Sequence, residues 1–573
     1  MTGKQPIFHQ QHRWLYLFVS LAVLVNFSGL FVPLMDPDAG VYASVSKHMV
    51  QRNNYLELFF QGTDWLDKPH FPFWITAAFF KTFGIHTWSY KLPGILFVML
   101  GAYYTYLFAK QYYNKTIALW AVFILLTAEH IIISNSDVRA EPFLTGLVIA
   151  SIYHFSNALS KKIGWHLLAA CLFAACAVMT KGIFTLIPVG AAVAGELIIK
   201  KKWKELFHWR WLLAGVLIVL FITPELYSLW YQFDKHPEKT IFGKTNVSGI
   251  RFFLWDSQFG RFVNSGPIKG KGDPTFFLHT LLWAFLPWSL LMYASLIEKI
   301  RRVFKKTNTG QTGTASPGNA GVRPVSSQEW FTLIGSLLTL LIFSLSKFQL
   351  PYYANIIFPL LAVLTAQYIY KIQETSTGLI RIIQNGITIL LLLGGLLLQF
   401  FYAPEVQPVL LIIIILVLVV FLLLLPYWIK TNKNLIAFYR VGLASLIFNL
   451  FLNWCFYPDL MKYQSGDEAA FYINKNHPGV PGVRMGIYSP AFEFYLKDTM
   501  IIADTTTINT SVAPKEAVWF VNDYGLAFIQ QKGLRYEILK ELPEFHVTML
   551  TLKFINKKTR GGELKKNYIV RML

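Results

Sequence analysis

Charged side chains in this sequence are concentrated in short segments that adjoin long apolar stretches. The first such segment is Asp36-Pro37-Asp38, which follows the first apolar stretch. Because an uncompensated charge beside hydrocarbon is costly, a carboxylate here indicates a metal ligand or a general base that deprotonates a hydroxyl or an amine. The same residues also suit an ordinary solvated turn, and the spacing alone leaves both interpretations open.

A second segment combines an acid, a base and aromatic residues around Asp67-Lys68-Pro69. A lysine is a compact point charge that suits a phosphate, and the adjacent Asp67 could bind a metal or orient Lys68. Trp65 and Trp74 flank the pair, as expected at the level of the lipid headgroups. The alternative is an interfacial amphipathic helix that carries a surface ion pair.

Further bases stand at the ends of apolar stretches. Arg139 lies between the acids Asp137 and Glu141 in a very short connection, and Lys181 directly follows another apolar stretch. Phosphate binding explains Lys181, and snorkelling towards a headgroup is the alternative. The bases of this kind are Lys68, Arg139, Lys181, Arg261 and Lys347. With the neighbouring acids and aromatic residues, they predict a cavity for an amphiphilic anion that has a phosphorylated head and a tail in lipid.

These segments must be positioned by helices that cross a membrane. The chain has 573 residues, of which 54% are hydrophobic and 14% charged, whereas soluble proteins carry about 25% charged residues. A bilayer core requires about 20 consecutive apolar residues per helix. Such stretches lie near 14–35, 89–109, 116–133, 142–158, 165–180, 183–199, 209–229, 276–297, 330–346, 352–370, 379–401, 408–429 and 437–457. We therefore predict an α-helical polytopic membrane protein with about 13 transmembrane helices in residues 1–457.

The bases in the connections indicate how the chain is oriented. The sequence holds 52 Lys and Arg against 31 Asp and Glu, and this net charge of +21 would suit nucleic acid in a soluble protein. The basic clusters fall on one side of the predicted helices, for example at Lys110/Lys115, Lys200/Lys201/Lys202/Lys204 and Arg301/Arg302/Lys305/Lys306. The positive-inside rule places this side and the N-terminus in the cytoplasm. This distribution argues against nucleic acid as a partner and puts the candidate residues on the external side, in loops 35–90 and 231–273 and in short turns.

The odd number of helices places residues 458–573 on the external side of the membrane. This tail is not apolar enough to span a bilayer. Short runs at 485–488, 518–521 and 547–555 predict strands, and 467–476 and 524–532 predict helices. We therefore predict a small soluble α/β domain at the C-terminal end.

The order of short motifs resembles the bacterial branch of the GT-C glycosyltransferases, the protein O-mannosyltransferase-like family that includes lipid A aminoarabinose transferase. The resemblance covers residues 14–370, and each motif is weak alone. The matching segments are Asp38-Ala39-Gly40-Val41-Tyr42-Ala43, Asp67-Lys68-Pro69-His70, Arg139-Ala140-Glu141, Lys181-Gly182, Phe285-Leu286-Pro287-Trp288 and Ser344 to Tyr353.

This resemblance implies a GT-C fold and an inverting transfer of a sugar from a polyprenyl phosphate to a lipid, protein or glycan acceptor. It implies that Asp38 is the general base. By the same resemblance, the leaving lipid phosphate is stabilised by Lys68, Lys181 and Arg261. The remaining pocket residues that it implies are Tyr42, Arg139, Glu141 and Tyr353.

Two positions depart from the family pattern. The aminoarabinose transferases have a glutamate and a histidine, a pair that resembles metal ligands, where this chain has Asp67 and Gln258. Glutamine is a poor zinc ligand compared with imidazole, so the sequence argues against zinc and leaves a divalent metal at Asp67 open. The departure also weakens the link to aminoarabinose and lipid A.

The main alternative to an enzyme is a lipid or sugar flippase or a secondary transporter. Such a protein would carry ionisable residues near the middle of its helices and would have interrupted helices. The candidate residues here lie mostly at the ends of the apolar stretches and in the loops between them. This placement favours an enzyme that works at the membrane surface.

Overall fold

The computed structural model describes residues 5–160, 164–266, 268–308, 328–373, 378–405, 409–429, 432–503 and 516–573. Every one of the 13 predicted apolar stretches contains a helix. The helices that correspond to them are Gln5–Phe27, Thr87–Tyr112, Lys115–Thr127 with Glu129–Ser136, Glu141–Ser160, Trp165–Lys181, Leu186–Ile199, Arg210–Phe221 with Thr223–Leu229, Phe276–Ala284 with Ser289–Asn308, Phe331–Leu345, Phe358–Ile372, Gly378–Phe401, Val409–Trp428 and Lys433–Phe451. The first helix ends earlier than predicted, because turns begin at Ser28.

Length and composition qualify only some of these helices as complete spans. In the described part of the chain, five helices are long and apolar enough to cross a bilayer, and two bent pairs would raise the number to seven. One pair bends by 53° between Thr127 and Glu129, where the Glu129 amide donates to the Leu286 carbonyl at 2.9 Å instead of within its own helix. The prediction of 13 spans therefore stays a prediction.

Burial separates the helices at the centre of the bundle from those at its edge. In Lys433–Tyr463, 89% of the most apolar stretch is buried, against 22% in Gly378–Phe401 and 17% in Val409–Trp428. Both peripheral helices expose large apolar side chains along one face and bury the opposite face. An extended apolar face that protein neighbours leave uncovered suits contact with lipid.

The two segments predicted as long loops contain regular structure. Residues 35–90 form the helices Asp38–Gln51 and Phe71–Phe83 and a short hairpin of Phe59–Phe60 with Thr63–Asp64. Residues 231–273 form the helical turns Trp230–Asp234, Gly249–Arg251, Phe252–Asp256 and Phe259–Val263. The Asp38–Gln51 helix is almost completely buried, so packing against neighbouring elements, and not an apolar sequence run, accounts for it.

Helices and a mixed five-stranded sheet make up the C-terminal residues. The strands are Gly482–Met485, Met500–Ala503, Val518–Asn522, Tyr536–Glu544 and Lys565–Met572, and the helices are Ser465–Asn476, Pro490–Tyr495, Asp523–Gln531 and Leu552–Ile555. Numbered by sequence, the five strands lie in the order 2-1-3-5-4. Strands 1, 2 and 3 are parallel to one another, and strand 5 is antiparallel to both of its neighbours, strands 3 and 4. The predicted strand at 518–521 and both predicted helices are observed. The predicted strand at 547–555 is wrong, because the Thr551 hydroxyl accepts from the Phe554 amide at 3.1 Å and caps a helical turn there.

Candidate functional site

The Asp38 carboxylate stands at the first residue of the Asp38–Gln51 helix, where the helix dipole favours an acid. Arg139 donates from Nη1 to Asp38 Oδ2 at 2.6 Å. The same guanidinium donates from Nε and Nη2 to Asp137 Oδ2, at 3.0 and 2.6 Å. Arg139 is thus held between two carboxylates, and the Asp38 side chain remains 43% exposed.

A second ion pair lies close by, between Lys181 and Glu141. Glu141 begins one helix and Lys181 ends another, so each charge suits its end of a helix dipole. Lys181 Nζ also lies 3.8 Å from the centre of the Tyr353 ring and 5.2 Å from that of Tyr352. The Arg139 guanidinium lies 4.8 Å from the same Tyr352 ring. Tyr352 therefore connects the Asp38 and Lys181 clusters through cation–π contacts on one ring.

The backbone conformation at residue 182 explains why a glycine follows Lys181. Gly182 has φ of 97°, a conformation that favours glycine. A Cβ atom at this position would lie 2.2 Å from the Gln258 amide nitrogen. That amide donates to the Lys181 carbonyl at 3.1 Å. Glycine thus lets Gln258 pack against the end of the helix that presents Lys181.

The third charged group consists of Asp67 with two cations. Lys68 and Arg261 both pair with the Asp67 carboxylate. Burial alone would raise the pKa of Asp67, but the charges on Lys68 and Arg261 lower it to about 2. Asp67 is therefore ionised at neutral pH and holds the two cations together.

Two adjoining cavities lie among these groups and share four lining residues, namely Lys181, Ser257, Gln258 and Arg261. Half of the residues that line the first cavity are apolar or aromatic, among them Leu144, Phe184, Phe262, Phe343, Phe348 and Tyr353. The second cavity is lined by Asp67, Lys68 and Glu225 among others. The cations Lys68, Lys181 and Arg261, which we call the cation cluster, thus line a space that also has apolar walls.

A buried pair fixes the segment that carries Lys68. Glu225 is completely buried and accepts from the His70 amide at 2.9 Å, and its other oxygen lies 3.0 Å from His70 Nδ1. His70 Nε2 donates to the Leu56 carbonyl at 3.1 Å, since a carbonyl only accepts. Glu225 is a site residue that was not predicted, although a lone acid within an apolar stretch such as 209–229 is a signal of function.

Known proteins resemble this chain in sequence over more than half of its length. The family model described as dolichyl-phosphate-mannose-protein mannosyltransferase matches residues 67–228. An undecaprenyl phosphate-alpha-4-amino-4-deoxy-L-arabinose arabinosyl transferase of Edwardsiella ictaluri is 27% identical over 366 residues, which are 62% of this chain and 59% of the relative. A relative of the same description from Enterobacter is 24% identical over 372 residues, 63% of this chain and 61% of its own length. The chain spans about three fifths of these relatives.

The structural comparison extends over nearly the whole chain. ArnT from Cupriavidus metallidurans, solved bound to undecaprenyl phosphate, superimposes with a TM-score of 0.70 at 17% identity, covering 97% of this chain and 98% of ArnT. The chain has the ArnT fold. The fold expected from the motifs is thereby confirmed. The sequence relatives confirm the resemblance to the aminoarabinose transferases.

Within the ArnT fold, most of the predicted site residues come together. The three charged groups described above contain eight of them, namely Asp38, Asp67, Lys68, Arg139, Glu141, Lys181, Arg261 and Tyr353. Tyr42 is buried, and the centre of its ring lies 5.2 Å from that of Phe73. It lines neither cavity, so its contact with the site is through packing.

Lys347, predicted as one of the bases that bind the substrate, lies outside the cation cluster, and its role in substrate binding stays a prediction. Lys347 is exposed, lines neither cavity and, among the described residues, forms no ion pair. Its backbone amide donates to the Phe262 carbonyl at 3.0 Å, which fixes the turn while its side chain points away. Tyr352, which belongs to the same motif, contacts Arg139 and Lys181 instead. The sequence motif indicates Tyr353 as a site residue but not Tyr352.

The site residues do not fit a metal ion. Over the described ranges, no group of three or more His, Cys, Asp or Glu residues is arranged to hold one. Asp67, the residue predicted as a metal ligand, pairs with Lys68 and Arg261. The Gln258 side-chain oxygen, at the position where the aminoarabinose transferases have a histidine, accepts from the Phe184 amide at 3.4 Å. The carboxylate predicted as a metal ligand and this amide oxygen are therefore both engaged with the protein itself.

Asp36, two residues before Asp38, provides a test by pH. Burial raises the pKa of Asp36 to about 7, although hydrogen bonds from Ser489 and Ala491 oppose the shift. Between its ordinary value near 3.8 and pH 7, the folded protein holds a proton that the unfolded chain has released. The free energy of unfolding should therefore fall as pH rises through this window. Thermal unfolding in detergent should show this fall and a weaker one in Asp36→Asn.

The neighbouring titratable groups remain in that variant and set its residual pH dependence. They include Asp467, whose pKa burial also raises, and Glu544. Equal pH slopes for the wild type and Asp36→Asn would contradict the prediction.

Proposed function

We propose that the protein is an inverting glycosyltransferase that moves a sugar from a polyprenyl phosphate to a lipid, protein or glycan acceptor. The observation that carries the proposal is the cation cluster at a cavity whose lining also includes a group of apolar and aromatic side chains. Such a space suits a donor with a charged head and a hydrocarbon tail. The named relatives act on an undecaprenyl phosphate sugar, which is the donor we propose here.

The charge of the site suits the chemistry of the leaving group. The three cations Lys68, Lys181 and Arg261 line the cavities and pair with the two acids Asp67 and Glu141. The third acid of the lining, Glu225, is engaged with His70. A polyprenyl-phosphate sugar is a phosphodiester with one negative charge, and cleavage leaves a phosphate monoester that carries one more. Because the cations face a charge that grows during the reaction, they stabilise the transition state more than the bound donor. A general acid for the leaving group is therefore unnecessary.

Asp38 is the general base in this proposal. In the part of the chain that the structure describes, Arg139 is the one hydrogen-bond partner of its carboxylate and occupies Oδ2, so Oδ1 is open to an acceptor. The acceptor oxygen or nitrogen attacks the anomeric carbon, its proton passes to Asp38, and the bond from the sugar to the phosphate oxygen breaks. Attack from the side opposite the phosphate inverts the anomeric configuration.

The proposal includes an arrangement in the membrane. About 13 helices would cross a bacterial inner membrane, with the N-terminus in the cytoplasm. The reaction would then take place on the periplasmic side, where residues 458–573 form an α/β domain. The basic clusters of the sequence and the lipid-suited surfaces of Gly378–Phe401 and Val409–Trp428 support this arrangement.

Transfer in detergent distinguishes this function from transport. Purified protein is mixed with an undecaprenyl-phosphate sugar and a panel of lipid, peptide and glycan acceptors, and released undecaprenyl phosphate is measured by mass spectrometry. We expect release that depends on acceptor, and a product whose anomeric configuration is opposite to that of the donor. A micelle has no second compartment, so a flippase would leave the donor intact. An intact donor with every acceptor, together with translocation in vesicles, would overturn the proposal.

A further inference from the structure

We infer that residues 489–496 of the C-terminal region position Asp38, and that Lys47 and Asp36 are the positioning residues through which they act. The inference rests on the proposed function, since it concerns the general base of that reaction. It arises from the contacts of the Asp38–Gln51 helix, which the C-terminal region holds along one side.

Asp36 fixes the entry to this helix. Its carboxylate accepts from the Ser489 hydroxyl at 2.6 Å and from the Ala491 amide at 2.8 Å. Its backbone amide donates to the Gln464 side-chain oxygen at 2.8 Å. Three bonds from the C-terminal region therefore hold the residue that lies two positions before Asp38.

Lys47 fixes the other end of the same helix. Its ammonium donates to the carbonyls of Glu493, Phe494 and Leu496, at 2.8, 3.0 and 2.7 Å. These carbonyls close the C-terminal end of the Pro490–Tyr495 helix, where backbone acceptors lack partners and a cation is favoured. Lys47 is 6% exposed, and all three of its donors are used.

Between these two anchors the helices make a close backbone approach. A Cβ atom at Gly40 would lie 2.7 Å from the Ala491 nitrogen and 2.9 Å from Pro490 Cβ, so only glycine fits without displacement. One turn further, the Ser44 hydroxyl donates to the Pro490 carbonyl at 3.2 Å. Gly40, Ser44 and Lys47 follow one another at helical spacing and share one face.

Asp38 stands away from this face and pairs with Arg139 instead. Because residues 489–496 hold the opposite side of the helix, they determine how far Asp38 reaches towards an acceptor. A displacement of about 1 Å of a catalytic group can cost 100-fold in rate. The donor cavity is lined by residues of other elements, so donor binding should be independent of these contacts.

The test compares Lys47→Met, which keeps the length of the side chain and removes the three donors, with the wild type. We expect kcat to fall about 10- to 100-fold, the Kd for undecaprenyl phosphate to stay within about twofold, and Lys47→Arg to recover part of kcat. Lys566→Met is the matched control, because Lys566 pairs with Glu541 on the exposed side of the C-terminal sheet. It should leave kcat unchanged.

Unchanged kcat in Lys47→Met would overturn the inference, and so would a parallel loss of kcat and donor affinity, which a general loss of structure would produce. If Lys47→Met does not fold, Ser44→Ala removes one contact and should lower kcat alone by a smaller factor. Amide hydrogen exchange in residues 38–51 separates this inference from the proposed function. Faster exchange in Lys47→Met supports the positioning contacts even if the wild type transfers no sugar, and unchanged exchange refutes them.

Discussion

Asp38→Asn is expected to reduce sugar transfer by at least about 100-fold, because a positioned general base contributes about 10²- to 10⁴-fold. Asparagine has the same size and can still accept a hydrogen bond from Arg139, but it cannot take a proton from the acceptor. The Asp38 carboxylate has no role in the donor cavity, whose lining excludes it. The Kd for the donor should therefore stay near its wild-type value while single-turnover transfer is lost.

Asp137→Asn is the matched control for this prediction. Asp137 is the second carboxylate on Arg139, with side-chain exposure of 13% against 43% for Asp38. It orients the guanidinium and is less accessible to an acceptor, so its replacement should cost less activity than that of Asp38. Transfer that survives in Asp38→Asn, or an equal loss in both variants, would contradict the role of Asp38 as the base.

Lys181→Met should weaken binding of undecaprenyl phosphate about 10- to 100-fold. A hydrogen bond to a charged group contributes about 1.5–3 kcal/mol, and its loss in a buried site is the larger effect. Lys181 lines both cavities and is the cation nearest to the Tyr353 ring. The affinity can be measured with a fluorescent polyprenyl phosphate in detergent.

Two further variants show whether a loss of affinity in Lys181→Met comes from a missing contact with phosphate. Lys181→Met leaves Glu141 buried and unpaired, which by itself destabilises the site. The double variant Lys181→Met/Glu141→Gln removes this charge, and the loss of affinity should persist in it. Lys347→Met removes an exposed lysine near the same site and should bind the donor normally. Restored affinity in the double variant would show that the loss came from Glu141 and not from a missing contact with phosphate.

The sequence predicts the helices well where the polypeptide meets lipid. A run of about 20 apolar residues has few structural alternatives in a bilayer, and each of the 13 stretches contains a helix. The Asp38–Gln51 helix has no such run. It is stabilised by contacts with Ser489, Ala491 and other residues more than 400 positions away, which no local pattern could indicate.

The types of residue in the site could be predicted from the sequence, but which charged side chains contact one another could be predicted less well. The sequence motifs correctly group Asp38, Arg139 and Lys181. Asp38 and Lys181 lie at helix ends and Arg139 lies in a turn between two helices, and the fold brings these positions together. Lys347 has the same sequence context, yet its side chain faces solvent. The direction of a side chain in a turn depends on backbone contacts such as that of Lys347 with Phe262, and these are set by tertiary structure.

The central claim is that the cation cluster holds the phosphate of a polyprenyl donor. It is tested most directly by a cryo-EM structure of the protein in nanodiscs with undecaprenyl phosphate. We predict phosphate density within hydrogen-bonding distance of Lys181 and Arg261, and a tail that leaves along Leu144, Phe184 and Phe343, which are apolar lining residues of the first cavity. Lipid density that lies only against the outer surfaces of Gly378–Phe401 and Val409–Trp428, with the cavity unfilled, would contradict the claim.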